Sequence, residues 1–215
     1  YMGVDSGALM KRAAAHVFSL ILKNWPGIAT LSIFCGKGKN AGDAMLIASL
    51  AREYGIKIQI FFVVDPHGFD GEVRAVYELL DLDGLQVERA LRPIVGELVV
   101  DGLIGTGLNR EVSGDFQKAI NLINQSDTPV LSLDIPSGVN ASTGGVLNNA
   151  VFSDLTATFI SRKVGLYTGL GIVHSGKIDY NSLGIPASVV LSVPGIELEF
   201  FDGRKVQAVP LNSYK

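Results

Sequence analysis

The sequence lacks the residues that usually build a disulfide framework or a transition-metal site. Cys35 is its single cysteine, so neither an internal disulfide nor a cysteine-based zinc site can form within the chain. Its three histidines, His16, His67 and His174, lie far apart and show no metal-ligand or catalytic-triad spacing. We therefore expect a protein of a reducing compartment, the cytoplasm.

Charge of either sign is also sparse. The chain carries 18 Lys and Arg against 21 Asp and Glu, for a net charge of −3, and the basic residues are dispersed. No basic patch indicates a nucleic-acid surface. The mean hydropathy is +0.33, yet no apolar run approaches the roughly 18–20 residues that span a bilayer. Neither a nucleic-acid partner nor a membrane partner is expected.

Short apolar runs alternate instead with stretches of helical periodicity. Strands are predicted at 29–34, 57–64, 97–103, 128–133 and 154–161, with shorter ones near 176–180 and 197–201. Helices are predicted from Asp5 or Ser6 to about Lys23, from Gly42–Asp43 to Tyr54, and over 70–80 and 115–124. This alternation indicates an α/β fold, a three-layer αβα Rossmann-like sandwich with a mostly parallel central sheet. Residues 1–215 read as a single domain, with 200–215 a candidate start of a linker to a second domain.

Three of the predicted strands end in loops that carry chemistry. GKGKNAGD (36–43) follows the first strand, DGLIGTGLN (101–109) ends the third, and DIPSG (134–138) follows the fourth. Ligands of open parallel sheets bind beyond the carboxyl ends of the strands. The three loops are therefore expected to converge on one edge of the sheet.

The first loop allows several interpretations. Gly36-x-Gly38-x-x-Ala41 fits a loose dinucleotide fingerprint, in which Asp65 would be a ribose-binding acid, but a plain tight turn fits equally well. Its backbone N–H groups and the following helix N-terminus could meet an anion.

The polar side chains of this loop are equally open. Asn40 is either a turn residue or an oxygen ligand for a hard cation. Lys39 is either a solvated charge or a phosphate contact. Asp43 is expected at the helix start, as an acid favoured by the helix dipole or as a cap.

Two aspartates and one lysine stand out in the other segments. Asp101 lies inside an apolar strand, where a carboxylate must be hydrogen-bonded, paired or coordinated. Asp134 follows an apolar strand directly, and Pro136 and Gly138 fix the loop after it, so Asp134 is either functional or a structural acid that holds the turn. Lys163 follows the strand-like DLTATFIS and is either functional or a solvated surface charge.

The motifs GKGKNAGD, DGLIGTGLNREVSG and DIPSGVN, in this order, resemble those of the YjeF N-terminal domain family, the NAD(P)H-hydrate epimerases. The resemblance covers nearly the whole chain. The family's opening segment is similar to ALMKRAAAHV, its T-x-T-F…K-x-G-L segment to TATFISRKVGL, and its closing element to GIP (184–186). The first motif departs from the family pattern GxGNNGGDG, because Lys39 replaces an Asn and Ala41 and Ala44 replace glycines.

The resemblance implies an isomerase of nicotinamide-cofactor repair, which interconverts the R and S hydrates of NADH or NADPH. It implies a potassium ion held by Asn40, Asp101 and Ser137. The implied substrate-binding residues are Lys39, Asn40, Ala41, Gly42, Asp43, Gly105, Thr106, Gly107, Leu108, Asn109, Arg110, Glu111 and Asp134. Asp134 is our candidate general acid/base, with Lys163 as a second catalytic candidate. The family also leads us to expect a homodimer and a fused dehydratase domain.

Two other functions remain open at this stage. A nicotinamide-dependent oxidoreductase would use the glycine fingerprint and Asp65, but it gives Asp101 and Ser137 no purpose. A non-catalytic nucleotide-binding scaffold of the same fold is the other alternative, because the first motif is altered at Lys39, Ala41 and Ala44.

Overall fold

The computed structural model describes residues 5–82, 85–88, 91–192, 195–199 and 205–208. Seven strands form one sheet in the order β3-β2-β1-β4-β5-β6-β7, and every neighbouring pair in it is parallel. Their bounds are β1 Thr30–Cys35, β2 Lys57–Phe62, β3 Gln86–Glu88, β4 Leu98–Gly102, β5 Val130–Leu133, β6 Leu155–Phe159 and β7 Lys177–Asn181. The predicted α/β fold with a parallel central sheet is confirmed.

Helices cover both faces of this sheet. They are α1 Ser6–Asn24, α2 Lys39–Glu53, α3 Gly71–Leu79, α4 Gly114–Asn124, α5 Gly171–His174 and α6 Ala187–Leu191. Side chains alternate along β1, so Leu31 and Ile33 join the core beneath α1 and α2, whereas Phe34 joins the core beneath α4 and stacks on Phe61 at 4.2 Å between ring centroids. The described helices include none that is both long and apolar enough to cross a membrane.

Two element boundaries near the loops differ from the predictions. Helix α2 begins at Lys39 rather than near Gly42–Asp43, because Gly38 already has extended N-cap geometry and the helix starts without a side-chain cap. Asp43 therefore lies inside the helix and is not a cap. Strand β6 ends at Phe159, two residues early, because Ile160 has φ +65°, a left-handed conformation that strands do not contain.

Two short strands, β3 and β9 (Lys205–Ala208), add to the predicted set, whereas β8 (Ile196–Glu199) corresponds to the strand predicted near 197–201. Strand β3 forms the sheet edge next to β2, and its three residues are too few for a periodic pattern. Strand β8 pairs antiparallel with β9. The candidate linker 200–215 thus contains β9, and residues 200–204 and 209–215 lie outside the described part of the chain.

Candidate active site

The strand order changes direction at β1, because β2 and β3 lie on one side of it and β4 to β7 on the other. Such a switch point creates a crevice beyond the carboxyl ends of β1 and β4. The loops after β1, β4 and β5 meet there, as the sequence predicted. Gly36 donates its backbone N–H to the carbonyl of Gly102 over 3.2 Å, and Ile104 donates its N–H to Oγ of Ser137 over 2.8 Å.

A cavity of about 890 Å³ occupies this crevice. The predicted site residues that line it are Lys39, Asn40, Asp43, Gly105, Thr106, Gly107, Leu108, Asn109, Arg110, Glu111, Asp134 and Lys163. Ala41 and Gly42 are buried behind this wall, where a side chain at Gly42 would meet Sδ of Met10 at 2.7 Å. Asp101 and Ser137 are also fully buried, outside the cavity lining.

One wall of the cavity was missed by sequence reasoning. Helix α1 contributes Ser6, Leu9, Met10 and Ala13 to the cavity lining. Residues 159–161, Lys37 and Leu183 also line the cavity. The apolar spacing of α1 predicts a helix face packed on a core, but it does not distinguish a core from the wall of a cavity. The resemblance of ALMKRAAAHV to a family segment was the one signal that could have found it.

Asp134 sits at the end of β5 in a left-handed conformation, with φ +66°. Its backbone N–H donates to the carbonyl of Ala157 over 2.7 Å, which holds the strained residue against β6. Such strain in a non-glycine residue concentrates at functional sites. The conformation places the Asp134 carboxylate on the cavity wall.

Lys163 is the principal partner of that carboxylate. It is buried, and its Nζ donates to Oδ1 of Asp134 and, over 2.8 Å, to the carbonyl of Phe159. Oγ1 of Thr158 and the N–H of Phe159 approach the same carboxylate oxygen at 3.3 Å each. Lys163 is therefore a buried partner of Asp134 and not a solvated surface charge.

Asp101 is held beneath the cavity by four donors. Its Oδ1 accepts from the N–H of Leu103 at 3.2 Å and from Oγ of Ser137 at 2.6 Å. Its Oδ2 accepts from Oγ of Ser132 at 2.8 Å and from the N–H of Ser137 at 2.9 Å. Burial raises the pKa of Asp101, and the hydrogen bonds from Ser137 and the other donors act against that rise.

Asn40 links the first loop to this group. Its Nδ2 donates to the carbonyl of Leu133 over 2.9 Å, next to Asp134. A Cβ atom added at Gly105 would lie 3.2 Å from Oδ1 of Asn40, so the amide oxygen lies against the β4 loop. Asn40 thus connects the first loop to the end of β5, and Ser137 connects the loop after β5 to Asp101.

The oxygen donors of this group suit a hard monovalent cation, which makes the residues present a fit for potassium. Asp101 has no basic side chain among its described partners, so a cation nearby would balance its buried charge. Within the described ranges, no cluster of three or more His, Cys, Asp and Glu could hold a transition metal.

Asp43 faces the cavity from α2. Burial raises the pKa of its carboxyl well above the usual value, and the negative charge of Asp134 raises it further, while Lys39 lowers it. No described residue donates a hydrogen bond to its carboxyl oxygens. Asp43 is therefore neither a helix cap nor a structural acid.

Lys39 and Asp65 take structural partners. Nζ of Lys39 lies 3.0 Å from Oγ of Ser6 and 3.3 Å from Glu72 on α3, so it bridges the cavity rim. Asp65 accepts from the N–H of His67 at 3.0 Å in a short 3₁₀ turn and does not line the cavity. Its position gives no support to the ribose-binding role that the oxidoreductase alternative requires.

The sequence pattern of one known family, described as YjeF-related protein N-terminus, matches residues 6–165. The chain belongs to this family. The match includes the three loops, Asp134 and Lys163.

Curated members of the family extend this result. The chain is 35% identical over 193 residues to the bifunctional NAD(P)H-hydrate repair enzyme Nnr of Coxiella burnetii, covering 89% of this chain and 40% of that protein. It is 34% identical over 187 residues to the NAD(P)H-hydrate epimerase of Levilactobacillus brevis, covering 86% and 87% of the two chains. The chain thus spans less than half of the bifunctional relative and most of the second one.

A solved structure shows the same fold. The crystal structure of the yeast protein ynu0, YNL200c, superposes with a TM-score of 0.74 at 15% identity, covering 96% of this chain and 91% of the yeast chain. The two chains thus share a fold although few of their residues are identical.

Proposed function

We propose that the chain is an NAD(P)H-hydrate epimerase, an isomerase that interconverts the R and S hydrates of NADH or NADPH. The observation that carries this proposal is the strained Asp134, paired with Lys163, on the wall of a cavity at the switch point of the sheet. The cavity volume of about 890 Å³ is that of a ligand site. The names of the relatives support the same activity.

The chemistry requires one proton to be given and one to be taken. The hydrate carries a hydroxyl on the carbon next to the ring nitrogen of the reduced nicotinamide. Once that hydroxyl is protonated, the nitrogen lone pair expels it as water and leaves an iminium ion, to which water adds from the other face. Asp134 acts as general acid/base in this sequence, and Lys163 holds it in position.

The dinucleotide phosphates meet the start of α2 and the loop after β4. Helix α2 begins without a side-chain cap, so its first N–H groups are available to an anion at the cavity wall. Arg110 and Lys37 line the same cavity, and neither forms an ion pair within the described part of the chain. The positive charges of Arg110 and Lys37 favour binding of the negatively charged diphosphate. The remaining loop residues position the ribose.

Asn40, Asp101 and Ser137 hold potassium in this proposal. Potassium held there would supply a fixed positive charge beneath the cavity. Oγ of Ser137 donates its proton to Asp101 and accepts the N–H of Ile104, which leaves one lone pair for the cation. Replacing potassium by tetraethylammonium should weaken dinucleotide binding, measured by calorimetry with ADP-ribose. Equal affinity in both salts would remove the ion from the account.

The experiment that tests the function starts from a single purified epimer of NADH hydrate. Chromatographic separation of the R and S forms should show equilibration far faster with the protein than in buffer. A scaffold would bind the dinucleotide and leave the uncatalysed rate unchanged. An oxidoreductase would change the absorbance of NADH mixed with a panel of carbonyl compounds, and the epimerase should not.

The remaining expectations extend this proposal. The bifunctional relative favours a dehydratase domain as a partner, fused or separate, that consumes the epimer produced here. A homodimer and a cytoplasmic location are the simplest setting for such a repair enzyme. Size-exclusion chromatography with light scattering measures the oligomeric state.

A further inference from the structure

We propose that Asp43 is a second catalytic acid/base, which serves one face of the nicotinamide ring while Asp134 serves the other. This inference rests on the epimerase function proposed above, and it assigns Asp43 a chemical role rather than one in substrate binding. It also explains why Asp43, unlike Asp134, faces the cavity without a lysine partner.

The positions of the two carboxyl groups carry the inference. Asp43 projects from α2 and Asp134 from the end of β5, so they reach the same cavity from two different elements. They are close enough for the charge of Asp134 to act on Asp43. In this proposal the substrate ring lies between α2 and β5, with one of these two carboxyl groups on each side.

The two carboxyl groups have different surroundings. Asp134 has Lys163 as an ion-pair partner, which holds it in position. Asp43 has no hydrogen-bond partner among the described residues, and burial together with the charge of Asp134 raises its pKa. Asp43 is thus suited to give a proton, and Asp134, held by Lys163 on the cavity wall, is placed to take one.

The reaction balances with these two groups and water alone. Asp43 gives its proton to the hydroxyl, the C–O bond breaks, and the nitrogen lone pair forms the C=N bond as water departs. A water molecule then forms a C–O bond on the opposite face, the C=N pair returns to nitrogen, and Asp134 takes the proton. No electron is gained or lost, and the exchanged protonation states prepare the enzyme for the reverse direction.

A single acid/base is the competing account. In that account Asp134 would serve both faces, and the departing and arriving water molecules would pass through the same side of the ring. Asp43 would then contribute only to binding. The two accounts differ in what happens to turnover, affinity and oxygen exchange when the Asp43 carboxyl is removed.

The test uses Asp43→Asn, with Glu53→Gln as a matched control. Glu53 lies at the exposed end of the same helix, so its change removes one carboxylate outside the cavity. We expect Asp43→Asn to lower kcat about 100-fold or more, while affinity for ADP-ribose changes less than about threefold and the control keeps wild-type values. Asp43→Glu retains a carboxyl group and should recover part of the turnover. If the Asn variant does not fold, the Glu variant still tests whether a carboxyl group at this position supports turnover.

Oxygen exchange separates catalysis from positioning. The hydroxyl of each purified epimer is labelled with ¹⁸O, and the Asp43→Asn variant is added. For the epimer whose hydroxyl faces Asp134, this variant should still exchange the label with water. That exchange should be faster than the inversion of the same epimer. A raised KM with unchanged kcat, or an equal loss of exchange and inversion for both epimers, would overturn the role of Asp43.

The pH profile gives a further readout. The titratable groups around Asp43 are Asp134 and Lys163 from the strand ends, Lys37 and Lys39 from its own loop and helix, and Arg110 and Glu111 from the β4 loop. The alkaline decline of kcat should disappear in Asp43→Asn, and its persistence would overturn the inference. A wild-type protein without epimerase activity would instead defeat the proposed function itself.

Discussion

Ser137 donates twice to Asp101, from its Oγ to Oδ1 over 2.6 Å and from its backbone N–H to Oδ2 over 2.9 Å. These two bonds fasten the loop after β5 to the end of β4, beneath the cavity. Asp134 lies three residues before Ser137 in the same loop. The position of the candidate acid/base is therefore set in part by a buried contact that never touches the cavity.

Replacing Ser137 by Ala should destabilise the protein, because one hydrogen bond to a buried carboxyl group is lost. The expected cost is about 1–3 kcal/mol in the free energy of unfolding, measured by urea denaturation. Ser19→Ala is the control, since Ser19 is exposed and bonds only to the carbonyl of His16 in its own helix. Equal midpoints for the two variants would contradict a structural role for the Ser137–Asp101 contact.

Lys163→Met should remove the ammonium group that holds Asp134 while keeping the length of the side chain. Asp134 would then retain two contacts of 3.3 Å on the same oxygen, from Thr158 and Phe159. We expect kcat for epimerisation to fall about 100-fold, with ADP-ribose affinity nearly unchanged. Lys118→Met, which removes the exposed pair with Asp115, provides the comparison. Wild-type turnover in Lys163→Met would remove Lys163 from the mechanism.

Two glycines of the first loop should respond differently to alanine. A Cβ at Gly36 would lie 1.8 Å from the carbonyl oxygen of Leu103, whereas one at Gly38 meets nothing within 4 Å. Because the obstacle at Gly36 is backbone, Gly36→Ala should cost about 2 kcal/mol or more in unfolding free energy. Gly38→Ala should unfold at nearly the wild-type midpoint. Similar thermal midpoints for both variants would show that the loops do not meet as described.

The stability of the protein should depend on the pH through Asp43. Its pKa is raised in the folded state, first by burial and then by Asp134, so the folded protein retains a proton that the unfolded chain loses near pH 4, about the usual aspartate pKa. Stability contributed by this proton is full below that pH and is lost as the pH rises through the folded-state pKa. Asp43→Asn should flatten this decline in urea titrations between pH 4 and 8, and Glu53→Gln should not. Parallel curves for Asp43→Asn and the wild type would contradict the raised pKa.

Much of the site follows from chain order and physical chemistry. Once the sheet is taken as parallel, the loops at 36–43, 101–109 and 134–138 must meet at one edge, and they do. The burial of Asp101 in an apolar strand predicts its hydrogen bonds, and four donors supply them.

Other features depend on contacts that local sequence does not encode. The early start of α2 is determined by the backbone of Gly38 rather than by a capping side chain, so Asp43 was assigned to the helix start. The raised pKa of Asp43 arises from the packing of α2 and the proximity of Asp134, 91 positions later in the chain. The cavity wall formed by Leu9 and Met10 has the same apolar spacing as a core-facing helix.

The central claim is that Asp134 transfers the proton that inverts the hydrate. Its most direct test compares the wild type with Asp134→Asn and with Asp127→Asn, which changes an exposed aspartate outside the cavity, on one purified epimer in potassium buffer. We predict rapid equilibration with the wild type and Asp127→Asn, and a rate at least about 100-fold lower with Asp134→Asn. Equilibration at the wild-type rate with Asp134→Asn would contradict the account.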